Sequence, residues 1–97
     1  MDKKLYLNNL YDYYGELFTE KQQHYFEDYY FRDLSLAEIA ENDGVSRNAV
    51  HGQLKIVEEK LVEYEEVLQL YEKRTKMKAL LKELEDSELV KKIEELW

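Results

Sequence analysis

The sequence predicts an all-α fold: a helix-turn-helix domain extended by a long helix and short C-terminal helices. Three observations predict it. The 97 residues include no Pro and only three Gly, so little interrupts a helix. Apolar residues recur at steps of three and four along most of the chain. The 21 residues from Ser35 to Lys55 hold two helix starts, one helix stop and apolar side chains in register with both helices.

Leu7, Leu10, Tyr14 and Leu17 stand at helical spacing and predict a helix from residue 3 to about 17. Thr19, with Gln22 three residues on, is a capping box that opens a second helix running to about Tyr30. Ten of the twelve Tyr and Phe residues precede residue 34. Tyr25, Phe26, Tyr29 and Tyr30 share one face of the second helix. Their helical spacing, free of interleaved Lys or Arg, favours core over a platform for stacking bases. After a loop at 31–34, Ser35 and Glu38 form another capping box, and Ile39 and Ala40 face inward. Gly44 supplies the left-handed backbone that ends this helix, and Ser46 caps the next. The small Ala40, the turn at Gly44 and the apolar Val50 and Leu54 have the spacing of a helix-turn-helix.

Val50, Leu54, Val57, Leu61, Tyr64, Leu68 and Tyr71 then alternate steps of four and three, which predicts one long helix from Arg47 to about Lys73. Leu61, Tyr64, Leu68 and Tyr71 run past what the helix-turn-helix can cover. They are the expected seam of a homodimer, with cover by the chain's own C-terminal helices as the alternative. Glu58, Glu59, Glu63, Glu65, Glu66 and Glu72 read as a solvated surface. The one basic cluster, 73–78, carries four positive charges. It reads as favourable charge at a helix C-terminus, with phosphate contact as the alternative. Met77, Leu80, Leu81 and Leu84 predict a further amphipathic helix. Ser87 is the expected cap of a last one, with Leu89, Val90, Ile93, Leu96 and Trp97 on its apolar side. The expected organisation is a single domain, 1–97, with a helix-turn-helix core at 3–60 and an extension at 61–97.

The formal net charge is −8. Residues 1–34 carry four basic and seven acidic side chains, 35–60 three and five, and 61–97 seven and ten, so no segment is net basic. That argues against strong, autonomous nucleic-acid binding. There is no Cys, hence no thiolate metal site and no disulfide. His24 and His51 fall on separate helices, and no glycine-rich phosphate loop or catalytic triad appears, so no enzyme, cofactor or metal is expected. No apolar run is long enough to cross a bilayer, and the expected location is the cytoplasm. The candidate nucleic-acid-binding residues are Ser46, Arg47, Asn48, His51, Gly52 and Lys55, on the polar side of the recognition helix. Arg and Asn are suited to guanine and adenine edges, and the helix N-terminus to a phosphate. Mid-helix Gly52 costs stability, which a close partner backbone would justify.

The run Leu17-Phe18-Thr19-Glu20-Lys21-Gln22, then Tyr29-Tyr30, Ser35 to Ala40 and Gly44 to Val50, resembles the YlxM family of small bacterial helix-turn-helix proteins. The likeness spans roughly residues 5 to 85. Its helix-turn-helix is more distantly similar to the promoter-reading C-terminal region of sigma factors, within the broad winged-helix-like group. The resemblance implies a sigma-like all-helical fold and no enzymatic activity. It also implies a regulatory or accessory role in the signal recognition particle pathway, with that particle's RNA or protein, or DNA, as partner. The sequence departs from the family at His51-Gly52-Gln53, where a Tyr-Asp-Asn-like run is usual. It departs again at Ile56-Val57, where members often carry a basic residue. Two rival readings stand beside this one: a DNA-binding transcription regulator, and a protein adaptor that does not bind nucleic acid.

Overall fold

In the computed structural model, which describes residues 2–97, helices follow one another with short joints: α1 (Lys3–Tyr14), α2 (Glu20–Tyr30), α3 (Leu36–Asp43), α4 (Arg47–Leu68), α5 (Leu70–Leu81) and α6 (Ser87–Glu94). The first helix stops three residues short of expectation. Gly15–Leu17 tighten into a 3-10 turn, and Gly15 packs where a Cβ would stand 3.0 Å from the Tyr11 ring. There is no strand, and so no wing, among the described residues.

Both predicted capping boxes form. The Gln22 N–H donates to Thr19 Oγ1 at 3.2 Å, and the Glu38 N–H donates to Ser35 Oγ at 3.1 Å. The Ser35 N–H in turn bonds the Glu38 carboxylate and holds its pKa below the ordinary value. Gly44, at φ 66°, ends α3. The Gly44 N–H donates to the Glu41 carbonyl and the Val45 N–H to the Ala40 carbonyl, the double bond pattern of a left-handed helix end.

The long α4 is the axis of the body, packed by α1, α2 and α3. Its Val50, Leu54, Val57 and Leu61 are buried with Leu7, Leu10 and Tyr14 of α1, Tyr25, Phe26 and Tyr30 of α2, and Ile39 of α3. The aromatic face of α2 is therefore core. Phe26 stacks between Tyr11 and Tyr30, with ring centroids 4.2 and 4.3 Å away. The Tyr30 hydroxyl donates to Glu58, and the Tyr11 hydroxyl to Glu27 Oε2 at 2.8 Å.

Two expectations fail at the far end of α4. The single helix to Lys73 is broken: Gln69 takes a left-handed conformation, φ 55°, and α5 sets off in a new direction against α1 and α4. Glu65, read as solvated, is buried. It continues the Val50–Leu61 stripe because the helix keeps its own period of about 3.6 residues rather than a supercoiled 3.5. Its carboxylate accepts the Tyr14 hydroxyl at 2.6 Å and the first backbone N–H groups of α5, Tyr71 at 3.1 Å and Glu72 at 3.0 Å. The break at Gln69 is thus offset by a capped, dipole-matched start to α5. At the last joint, Asp86 rather than Ser87 caps α6: its Oδ1 accepts the Glu88 and Leu89 N–H groups, each at 3.1 Å. Helix α6 has no buried residue, and the molecule is elongated, 54 × 24 × 24 Å.

Candidate nucleic-acid interface

Helices α3 and α4, with the turn 44–46 between them, form the helix-turn-helix, and two polar braces fix its pose. In the first, Gln22 of the α2 capping box accepts from the Thr19 N–H and donates its Nε2 to Gln53 Oε1 of α4 at 3.2 Å. One residue therefore closes the start of α2 and ties it to the recognition helix. In the second, buried Asp28 of α2 accepts from Arg32 Nη1 at 2.7 Å. The His24 Nε2 lies 3.2 Å from Asp28 and 3.3 Å from Asp43, the last residue of α3. Underneath, Val50 and Leu54 are 0% and 3% exposed and lock the rotation of α4.

That rotation decides what faces outward. Ser46, Arg47, Asn48, His51, Gly52 and Lys55 are all exposed. Ser46 Oγ accepts the Ala49 N–H at 3.0 Å. The N–H groups of Arg47 and Asn48 belong to the first turn, where a helix offers them no internal acceptor, and they point along the positive end of the α4 dipole. Arg47 at this end and Lys55 two turns later put cations at both ends of the row, with Asn48 and His51 between them. Gly52 leaves open space: an added Cβ would meet nothing within 4 Å. The fold itself therefore gives no reason for a glycine at this position.

The cationic row is short. His51 and Lys55 line a groove with Lys3 of α1, and Glu58, Glu59 and Glu63 of α4 line its other end. A polyanion lying along α4 would meet repulsion within one turn after Lys55, so the usable surface is the first turns of α4 only. Sequence reasoning did not anticipate Gln22, Gln53 and the Asp28 cluster as the supports of this face. The capping box pointed to Gln22, but only the fold brings it to Gln53.

The expected dimer seam is divided by the fold. Leu61 is wholly buried by the chain's own helices. Tyr64 is half-buried with its ring 5.9 Å from those of Tyr14 and Phe18. Tyr71 is half-buried against Tyr6 and Tyr13, at 5.9 and 6.2 Å. Leu68 alone of the four is exposed. The strip whose exposure suggested a second copy is thus largely intrachain core. No helix among the described residues is long and apolar enough to cross a membrane, and no group of His, Cys, Asp and Glu among them is arranged to hold a metal.

The UPF0122 family model, described as "Putative helix-turn-helix protein, YlxM / p13 like", matches residues 1–96. The chain belongs to this family. A UPF0122 protein of Ureaplasma urealyticum serovar 10 is 45% identical over 95 residues, which are 98% of this chain and 96% of that one. UPF0122 proteins of Shouchella clausii and Halalkalibacterium halodurans are 48% and 47% identical over 84 and 91 residues, covering 87% and 91% of this chain and 77% and 84% of theirs. The expected YlxM resemblance therefore holds from end to end, and the helix-turn-helix seen in this UPF0122 chain is the feature for which its family is described. That family description names a helix-turn-helix and no enzymatic activity.

Proposed function

We propose that this UPF0122 protein is a non-enzymatic cytoplasmic regulator that binds nucleic acid through the first turns of α4. Residues 3–60 read the target, and 61–97 act as an extension of the same domain. The observation that carries the reading is the division of α4. Val50 and Leu54 are buried, while Ser46, Arg47, Asn48, His51, Gly52 and Lys55 form one exposed, locally cationic row on a braced helix. The signal recognition particle pathway, with its RNA or protein as target, is the setting that the YlxM resemblance suggests.

Two measurements test this. Replacing Arg47 and Lys55 by Ala should weaken binding to the specific target and flatten its salt dependence, since each lost phosphate contact removes about 0.9 from the log–log slope on duplex DNA. Random DNA should bind weakly at about 0.15 M salt, because a net charge of −8 opposes approach. Unchanged binding by the double variant would move the site elsewhere. Capture from a bacterial lysate with and without nuclease separates this reading from a protein adaptor: a partner that survives nuclease treatment is a protein.

A dimer reading has one observation in its favour: Val67 and Leu68 are 80% and 43% exposed beside the α4–α5 joint. Two copies meeting there would set a half-site spacing. Sedimentation equilibrium of the parent and of Leu68→Asp decides it.

A further inference from the structure

The basic cluster at 73–78 is only partly explained by helix electrostatics. Lys78 lies in the last turn of α5, where the helix dipole favours it, and Lys76 pairs with Glu72 at 3.0 Å. Arg74 has neither explanation. It sits in the second turn of α5, half-buried, with its guanidinium 5.9 Å from the centre of the Tyr13 ring. Its Nε–H is shielded from solvent and finds no acceptor among the described residues. A donor left in that state costs free energy until an acceptor arrives.

The space before Arg74 is a groove of about 650 Å³ between α1, α5 and the end of the chain, lined by Asp12, Tyr13, Tyr71, Arg74, Lys78 and Trp97 among others. The volume is in the range of small-ligand sites, roughly 300–1,000 Å³. The composition is specific. Three aromatic rings and two cationic side chains face one side-chain carboxylate, in a chain whose net charge is −8. Tyr13 already carries the Arg74 guanidinium on its ring, and Tyr71 packs edge to face on Tyr6. Trp97 is 46% exposed and is the ring with a face to offer. None of these residues belongs to the α4 row.

We infer that this groove is a second binding site, one that takes a nucleotide unit with its base stacked on Trp97 and its phosphate on Arg74 and Lys78. A planar ring and an adjacent anion are what an aromatic wall with two neighbouring cations recognises. An Arg offers a phosphate a forked, charge-assisted bond through its Nη groups. Asp12, on the α1 side, disfavours a second phosphate there and orients the ligand with its anion toward α5.

Trp97 is the one Trp of the chain, so its fluorescence reports the site directly. The full chain is titrated with adenosine monophosphate and, separately, with a single-stranded adenine dodecamer at low salt. Saturable quenching is expected. Arg74→Gln with Lys78→Gln should raise the midpoint by at least about tenfold while the circular dichroism spectrum stays that of the folded parent, since Lys78 is exposed and Arg74 is only half-buried. Quenching by both ligands alike assigns the site to free nucleotide, and quenching only by the dodecamer assigns it to a strand. Either supports the proposal. The Arg47→Ala, Lys55→Ala variant should quench as the parent does, so failure at the α4 face and failure here are separable. The proposal is overturned by absence of saturable quenching, by equal midpoints for parent and Arg74→Gln, Lys78→Gln, or by equal quenching with a hexaglutamate peptide.

Discussion

The Tyr14 hydroxyl, buried at the end of α1, donates to Glu65 Oε1 of α4 at 2.6 Å and accepts the Leu70 N–H of α5 at 3.1 Å. Two polar side chains thus join three helices around Gln69, which with Asp33 is one of two non-glycine residues in a left-handed conformation among the described residues. A left-handed residue other than Gly costs about 1–2 kcal/mol, and the capping bonds that Glu65 makes to α5 offset it.

Removing the hydroxyl should therefore loosen the joint. Tyr14→Phe leaves the ring in the core but strips one bond from a buried carboxylate and one acceptor from Leu70. A bond to a charged group contributes roughly 1.5–3 kcal/mol, and the loss in urea denaturation should fall in that range. Glu65→Gln should cost a similar amount. The double variant should lose less than the sum of the two, because both changes break the same bond. Strict additivity would show that the pair is not coupled.

Alkali should find the same joint. Burial and the Glu65 carboxylate raise the Tyr14 phenol from 10.0 to about 12. Tyr11 and Tyr30 are also raised, first by burial and then by their bonds to Glu27 and Glu58. A phenol whose folded pKa exceeds its unfolded value stabilises the fold fully below the unfolded pKa, here about 10, and that contribution is lost as pH rises through the folded value. Stability should hold to about pH 10 and fall between pH 10 and about 12. Phenolate absorbance on an alkaline titration should show late-ionising tyrosines that titrate together with unfolding, and Tyr14→Phe should make that fall shallower. A chain in which every tyrosine titrates near pH 10 while folded would contradict this.

The helix-turn-helix was legible because its signals are local. Thr19, Ser35 and Ser46 each cap within three residues of themselves, and Gly44 needs only its own φ to stop α3. The joint at Gln69 was not legible, because its cause is tertiary. The residue that caps α5 is Glu65 on the preceding helix, and its hydroxyl partner lies 51 positions away. An apolar count by heptads passes from Leu61 to Tyr64, whereas the buried stripe goes from Leu61 to Glu65, and an acid in that place reads as solvent-facing until Tyr14 is beside it. Asp86 displaced Ser87 as a cap by one residue, within the ordinary slack of a helix end. The candidate face on α4 followed from Val50 and Leu54 pointing the other way. The Trp97 groove did not, since α1, α5 and the chain end meet only in the fold.

The division of the former seam makes a sharp contrast between two leucines seven residues apart. Leu61 is 0% exposed and Leu68 is 43% exposed. Leu61→Asp places an unpaired charge in the core and should cost more than about 4 kcal/mol, enough to unfold a marginal domain at any protein concentration. Leu68→Asp should change stability by no more than about 0.5 kcal/mol. Circular dichroism melts at two protein concentrations check both. If Leu61→Asp stays folded and merely loses mass in sedimentation, Leu61 serves a contact between copies and not the core.

Gly52 offers a test in which stability and binding move in opposite directions. It lies inside α4 with helical backbone on both sides, and a Cβ there would meet nothing within 4 Å. Gly52→Ala should therefore stabilise the chain by up to about 1 kcal/mol, the ordinary gain of Ala over Gly in a helix. On the proposed face the same methyl would project between His51 and Lys55, toward the surface of a docked nucleic acid. If the backbone of that partner approaches closely, Gly52→Ala raises the thermal midpoint and weakens binding together, and a longer side chain at 52 weakens it further. Binding that is unchanged by Gly52→Ala and by Gly52→Leu, with stability raised as expected for Ala, would show that nothing docks across this turn of α4.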